Sequence, residues 1–152
     1  MIRATSIIRR DSVDQDRIVD VITLDHGDRH RRRILLNADG GTAFLLDLDR
    51  ADVLEDGDAI RLESGWLVEV KAAPERLVEI RTEDPLDLLT LAWHIGNRHL
   101  PAAVEPGRLL IHRDHVIRAM LEGLGATLRD VDEIFAPLPG AYGGHGHGHG
   151  HD

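Results

Sequence analysis

Ten histidines and no cysteine set the chemistry open to this 152-residue chain. Without thiols there are no disulfides, no thiolate nucleophiles and no cysteine-based zinc or iron–sulfur sites, so a metal must be held by imidazole and carboxylate. Four of the histidines, His145, His147, His149 and His151, alternate with glycine near the end of the chain. A Gly-His segment has no apolar face to bury. The tail from about Ala141 is therefore expected to be disordered until it wraps several neutral imidazoles around one divalent ion, and nickel, zinc and copper(II) all suit such ligands. A purification tag would instead be an uninterrupted histidine run.

The other histidines are single or paired. His99 lies in the loop Asn97-Arg98-His99-Leu100-Pro101, and one loop imidazole cannot hold a metal usefully. Symmetry changes that: in a dimer whose two-fold axis passes near the loop, one ion gains two imidazoles from one encoded residue. His94, five residues earlier, would point about 140° away if both were helical, which is poor geometry for chelating one ion within a chain. A half-buried His94 near a helix end has the structural alternative of satisfying a carbonyl. His112 and His115 flank Arg113-Asp114 at i, i+3 spacing, which makes either a weak two-histidine site or two exposed side chains beside a helix start capped by Asp114. His26 and His30 fall in a charged turn and are expected to face solvent. Phosphate-binding glycine loops, HExxH and GxSxG are missing, so the chain is expected to bind rather than to catalyse.

Charge and composition exclude other classes. The net charge is -9 and aromatic residues make up 3% of the chain, which opposes binding to nucleic acid and to anionic membranes and removes base stacking as a recognition mode. The one basic run, Arg29-His30-Arg31-Arg32-Arg33, has no interleaved aromatics and reads as a solvated strand face or a seat for an acidic protein. No apolar run reaches membrane-spanning length, and charges interrupt the opening residues before a signal-peptide core could form. A soluble, cytoplasmic protein is expected.

These residues need elements to position them. Through Pro74 the apolar runs are short and turn-punctuated: Thr5 to Ile8, Ile18 to Leu24, Ile34 to Leu36, Ala43 to Leu48, Ala59 to Leu62 and Trp66 to Val70. Turns are expected at Asp25-His26-Gly27-Asp28, Asn37 to Gly41, Glu55 to Asp58 and Ser64-Gly65. Beyond Pro74 a strand from Arg76 to Arg81 leads to a helix capped by Asp84 with Pro85 at its first position and Leu88, Leu91, Ala92 and Ile95 as its buried stripe. Two short strands around Glu105-Pro106-Gly107 follow, then a helix carrying Val116, Ile117, Met120, Leu121 and Leu124 that Gly125 stops, then an extended stretch from Thr127. The predicted fold is α+β: a small antiparallel β domain (residues 1–74), a ferredoxin-like βαββαβ domain (residues 75–140) and a flexible Gly-His tail (residues 141–152).

The segment Trp93-His94-Ile95-Gly96-Asn97-Arg98-His99-Leu100-Pro101 resembles the GNRH-x-P segment of the urease accessory nickel metallochaperones. Asp114-His115-Val116, Met120-Leu121, Gly123, Gly125 and Gly140-Ala141-Tyr142 before a His-rich tail follow in the family's order. The resemblance implies a homodimer of two-domain subunits, a peptide-binding N-terminal domain and a metal-binding, dimer-forming C-terminal one. It implies that His99 pairs with its symmetry mate on nickel, that His145, His147, His149 and His151 add ligands, and that delivery is to apo-urease through a complex with the urease accessory GTPase. Zinc and copper(II) suit the same ligands. Family members carry a further histidine where this chain has Arg113, so His112 and His115 take the weaker role. Storage without delivery is the alternative function, and a general assembly factor with incidental histidines is a third.

Overall fold

In the computed structural model residues 1–140 are described, and they form two compact units, Met1–Ala73 and Pro74–Pro139. Among them no helix is long and apolar enough to cross a membrane.

The first unit is built from β1 (Arg3–Ile8), β2 (Ile18–Leu24), a single-turn helix α1 (His26–Arg29), β3 (His30–Asn37), β4 (Ala43–Val53), β5 (Ala59–Leu62) and β6 (Leu67–Ala72). Its six strands lie in the order β2-β6-β5-β1-β4-β3. Alternation in β4 sends Phe44, Leu46 and Leu48 inward, where they meet Ala4, Leu36, Ile60, Val68 and Val70. The sheet is mixed rather than antiparallel throughout. Strands joined by tight turns, β3 to β4 and β5 to β6, pair antiparallel, but β1 runs parallel to β4 and β2 parallel to β6. Hydrophobic alternation reports which face is buried and is silent on direction, which the longer connections decide.

Two local readings change. Strand β3 extends well beyond Ile34 to Leu36, because Arg31 stands opposite Asp52 and Arg33 opposite Asp47 on β4, and charge pairing across the ladder carries the arginines. The predicted turn at Asp25 to Asp28 is the helix α1: the Asp25 carboxylate accepts from Asp28 N at 2.9 Å, and Arg29 N donates to Asp25 O at 2.9 Å. The turn before β4 is held from outside by Asp20, whose carboxylate accepts from Gly40 N (2.8 Å) and Thr42 N (3.1 Å). A Cβ at Gly40 would stand 2.7 Å from the Asp20 carboxylate, so a larger residue there would have to push that carboxylate off the turn.

The second unit runs β7 (Pro74–Arg81), α2 (Pro85–Asn97), β8 (Ala103–Glu105), β9 (Arg108–His112), α3 (His115–Gly123) and β10 (Thr127–Ile134). The strand order is β10-β7-β9-β8 with every ladder antiparallel. One face packs Val78, Ile80, Leu109 and Ile111 against Leu91, Ile95 and Leu121 of the helices. The other clusters Leu77, Ala103 and Leu110 with Phe135.

Beside that second cluster Glu79, 4% exposed, meets Arg81 at 3.1 Å, Arg108 at 3.0 Å and Arg129 at 3.3 Å. Arg81 foremost, with Arg108 and Arg129, holds the Glu79 carboxyl down from its ordinary 4.5 to about 2, against the opposing push of burial. A carboxylate depressed by folding adds stability that is complete above its unfolded pKa and is lost as pH falls through the folded one. The Glu79 contribution should thus be full at neutral pH and fade between 4.5 and about 2. Glu79→Gln should cost on the order of 2 kcal/mol at pH 7 and flatten that part of the acid-unfolding profile, read by denaturant melts at stepped pH.

Candidate metal site

The site begins with the two ends of α2. Asp84 accepts from Leu86 N at 2.9 Å and Pro85 occupies the first turn, so the start is fixed by residues next to it in sequence. Leu91 and Ile95 are buried, with Leu88 and Ala92 half-buried beside them. The opposite side of the same helix is also apolar: Leu86, Leu89 and Trp93 are 65%, 67% and 64% exposed. Helical spacing puts these three on one stripe. Reading α2 for its buried stripe alone misses them, although their i, i+3, i+7 positions are legible in the sequence.

At its other end α2 closes in a two-bond motif. His99 N donates to Gly96 O at 3.0 Å and Leu100 N donates to Ile95 O at 3.4 Å, the pairing of a Schellman C-terminus. That motif requires a left-handed residue between them, and His99 takes it with φ 59°, alone among the described non-glycine residues. The end of α3 makes the same closure, Gly125 N to Glu122 O and Ala126 N to Leu121 O, with glycine at φ 88°. Leu100 packs on the core cluster that contains Ile95, and Pro101 prevents further helix. The GNRHLP segment is thus a complete helix stop in which the position that favours glycine carries an exposed imidazole. An L-residue held left-handed costs about 1–2 kcal/mol, and such strain gathers at functional positions.

The remaining candidates are dispersed. His94 is half-buried and stands edge-on to Trp93, ring centroids 5.2 Å apart. His112 ends β9, its Nε2 2.8 Å from Glu75 Oε1 and its ring 4.4 Å from Phe135. His115 opens α3 and is exposed, while Asp114 caps that helix by accepting from Val116 N (2.9 Å) and Ile117 N (3.1 Å). Arg113, between them, donates to Leu77 O (3.1 Å) and Val131 O (3.0 Å), tying β7 to β10. His26 and His30, expected to face solvent, are half-buried and exposed respectively and stand near each other, ring centroids 6.1 Å apart. Among the described residues no three His, Asp or Glu side chains gather into a metal-sized group. His145, His147, His149 and His151 lie outside the described residues.

Comparison with known proteins agrees with the whole chain's pattern. Residues 4–73 match the family described as UreE urease accessory protein, N-terminal domain, and residues 75–152 match its C-terminal domain. The urease accessory protein UreE of Azorhizobium caulinodans is 57% identical over 142 residues, 93% of this chain and 68% of that protein. Its counterpart in Chelativorans sp. is 53% identical over 95% of this chain and 89% of its own length. That of Rhizobium meliloti is 59% identical over 82% and 80%. With both halves of the chain matched in order and relatives this similar over most of their lengths, the protein belongs to the UreE family of urease accessory proteins.

Proposed function

We propose that this protein is a nickel-binding metallochaperone that delivers Ni(II) for assembly of the urease active site. The observation that carries this reading furthest is His99, an exposed imidazole kept in a costly left-handed conformation where glycine would serve the fold better. Its backbone is fixed by its own N–H bond to Gly96 O and by that of Leu100 to Ile95 O, as the backbone of a free loop residue is not. The chain acts as a homodimer in the cytoplasm, with His99 of each subunit on one shared ion. The exposed stripe Leu86, Leu89 and Trp93, on the helix that His99 terminates, supports that pairing, since three large apolar side chains in a row mark an interaction surface.

The second unit is a ferredoxin-like domain, a reading supported by the order β10-β7-β9-β8 with a helix in each of the connections β7 to β8 and β9 to β10. It binds metal and dimerises, and the first unit engages partner protein, among them the urease accessory GTPase and apo-urease. His145, His147, His149 and His151 supply further ligands. Zinc and copper(II) fit the same imidazoles. His112 is a weaker ligand because Glu75 and Phe135 already engage it, and His115 shares that lesser role. Two fixed imidazoles completed by tail or water can release an ion stepwise, as a carrier must.

The test is nickel calorimetry on the full chain beside a chain ending at Gly144, with transfer to apo-urease as the second readout. The expected result is one ion per dimer surviving truncation, fewer ions in total, faster release, and urease activation by the full chain. Several ions per chain with no transfer would establish storage instead.

A further inference from the structure

The single-turn helix α1 carries a histidine at each end. His26 is its first residue, and His30 follows its last, where the chain enters β3. Neither the His99 pairing nor the tail uses these two residues. One helical turn brings their rings to a centroid separation of 6.1 Å with planes tilted by 53°.

A shared ion sets a definite span. With the ligating nitrogen about 2.0–2.1 Å from the metal and the ring centre about 1.1 Å behind it, two imidazoles on one ion have centroids about 4.5 Å apart at a right angle and about 6.4 Å apart when linear. The observed 6.1 Å lies inside that range. Closing to a smaller angle needs only a side-chain rotation, for which exposed His30 has room.

The backbone beneath the pair is firmly seated. Asp25 caps α1, Arg29 is 2% exposed, its Nη1 donates to Leu54 O at 3.0 Å, and Leu54 N returns a bond to Arg29 O at 2.8 Å. His30 is itself paired with Val53 on β4. Both ligands therefore start from fixed backbone positions, which lowers the ordering cost of chelation. Asp25 and Asp28 place negative charge in the same turn, and Arg31 offsets part of it through its 3.2 Å contact with Asp28.

We propose that His26 and His30 together chelate one divalent ion of the borderline-soft class, Ni(II), Cu(II) or Zn(II), at an exchange-labile site on the first unit. Water completes the coordination. Two imidazoles without a third protein ligand make this a weaker holder than a shared His99 pair joined by the tail. It offers the ion a second resting point on the chain, and it stands whether or not His99 has the role given above.

The test uses the full chain with isotope-labelled histidine and Ni(II) as the probe, following each imidazole resonance through a titration. After the tighter ligands fill, the His26 and His30 signals should broaden together at one free-nickel concentration. His30→Ala should raise the nickel needed to broaden His26 by about tenfold, and His26→Ala should do the same at His30. Amide spectra of β3 and β4 confirm that each variant is folded, and either variant alone decides the matter. Both signals unmoved at millimolar nickel would overturn the proposal. So would a His26 response that is unchanged when His30 is gone.

Discussion

Glycine at position 99 should make the folded protein more stable while removing nickel from the shared site. His99 is held at φ 59° by the closure of α2, and the equivalent position after α3 is already Gly125 at φ 88°. Relief of the left-handed strain is worth about 1–2 kcal/mol, and the added freedom of glycine in the unfolded chain returns about 0.4–1, leaving a net gain of roughly 1 kcal/mol. His99→Ala keeps a Cβ in the same backbone and gains nothing, and His99→Asn, whose short side chain tolerates this region, should stay near the parent. In the proposed dimer all three lose the imidazole twice, so nickel affinity at the proposed shared site should fall by at least about a hundredfold, with urease activation falling alongside. Denaturant melts of the metal-free series and nickel calorimetry read the two effects separately. A Gly variant less stable than the parent would show that the left-handed residue is no burden to this fold. An Ala variant that activates urease normally would remove His99 from delivery.

Placing a charge in the exposed stripe of α2 should split the dimer without unfolding the subunit. Leu89 is 67% exposed in the single chain, so Leu89→Asp costs the subunit little on its own. In a dimer formed through this stripe each leucine buried contributes about 2 kcal/mol, two-fold symmetry doubles it, and the unpaired carboxylates add a desolvation cost. Together that is about 4 kcal/mol or more, a weakening of roughly a thousandfold. Sedimentation should show monomer at micromolar chain concentration with an unchanged circular dichroism spectrum, and the one-ion-per-dimer site should disappear although His99 is intact. Dimers that persist in both Leu89→Asp and Trp93→Asp would place the two-fold axis elsewhere.

Features set by near neighbours in the chain could be read without coordinates. Asp84 and Pro85 start α2, Asp114 starts α3 and Gly125 ends it, because caps act over a few residues. The histidine tail suggested metal chemistry by residue type and spacing, since a cysteine-free chain must ligate through imidazole and carboxylate, whereas the GNRHLP segment did so only through its resemblance to the urease accessory metallochaperones. Features that join distant residues could not be read. The parallel pairings of β1 with β4 and β2 with β6 leave no mark in alternation, which has the same period in either direction. Glu75 reaches His112 across 37 positions of sequence, and Glu79 collects Arg81, Arg108 and Arg129 from three strands. Arg29 looked like one member of a solvated basic run until Leu54 bound both its backbone and its guanidinium. His99 stands between the two cases: its place after α2 was evident, but its left-handed backbone depends on Leu100 docking in the core beside Ile95, and packing of that kind is settled only when the whole unit folds.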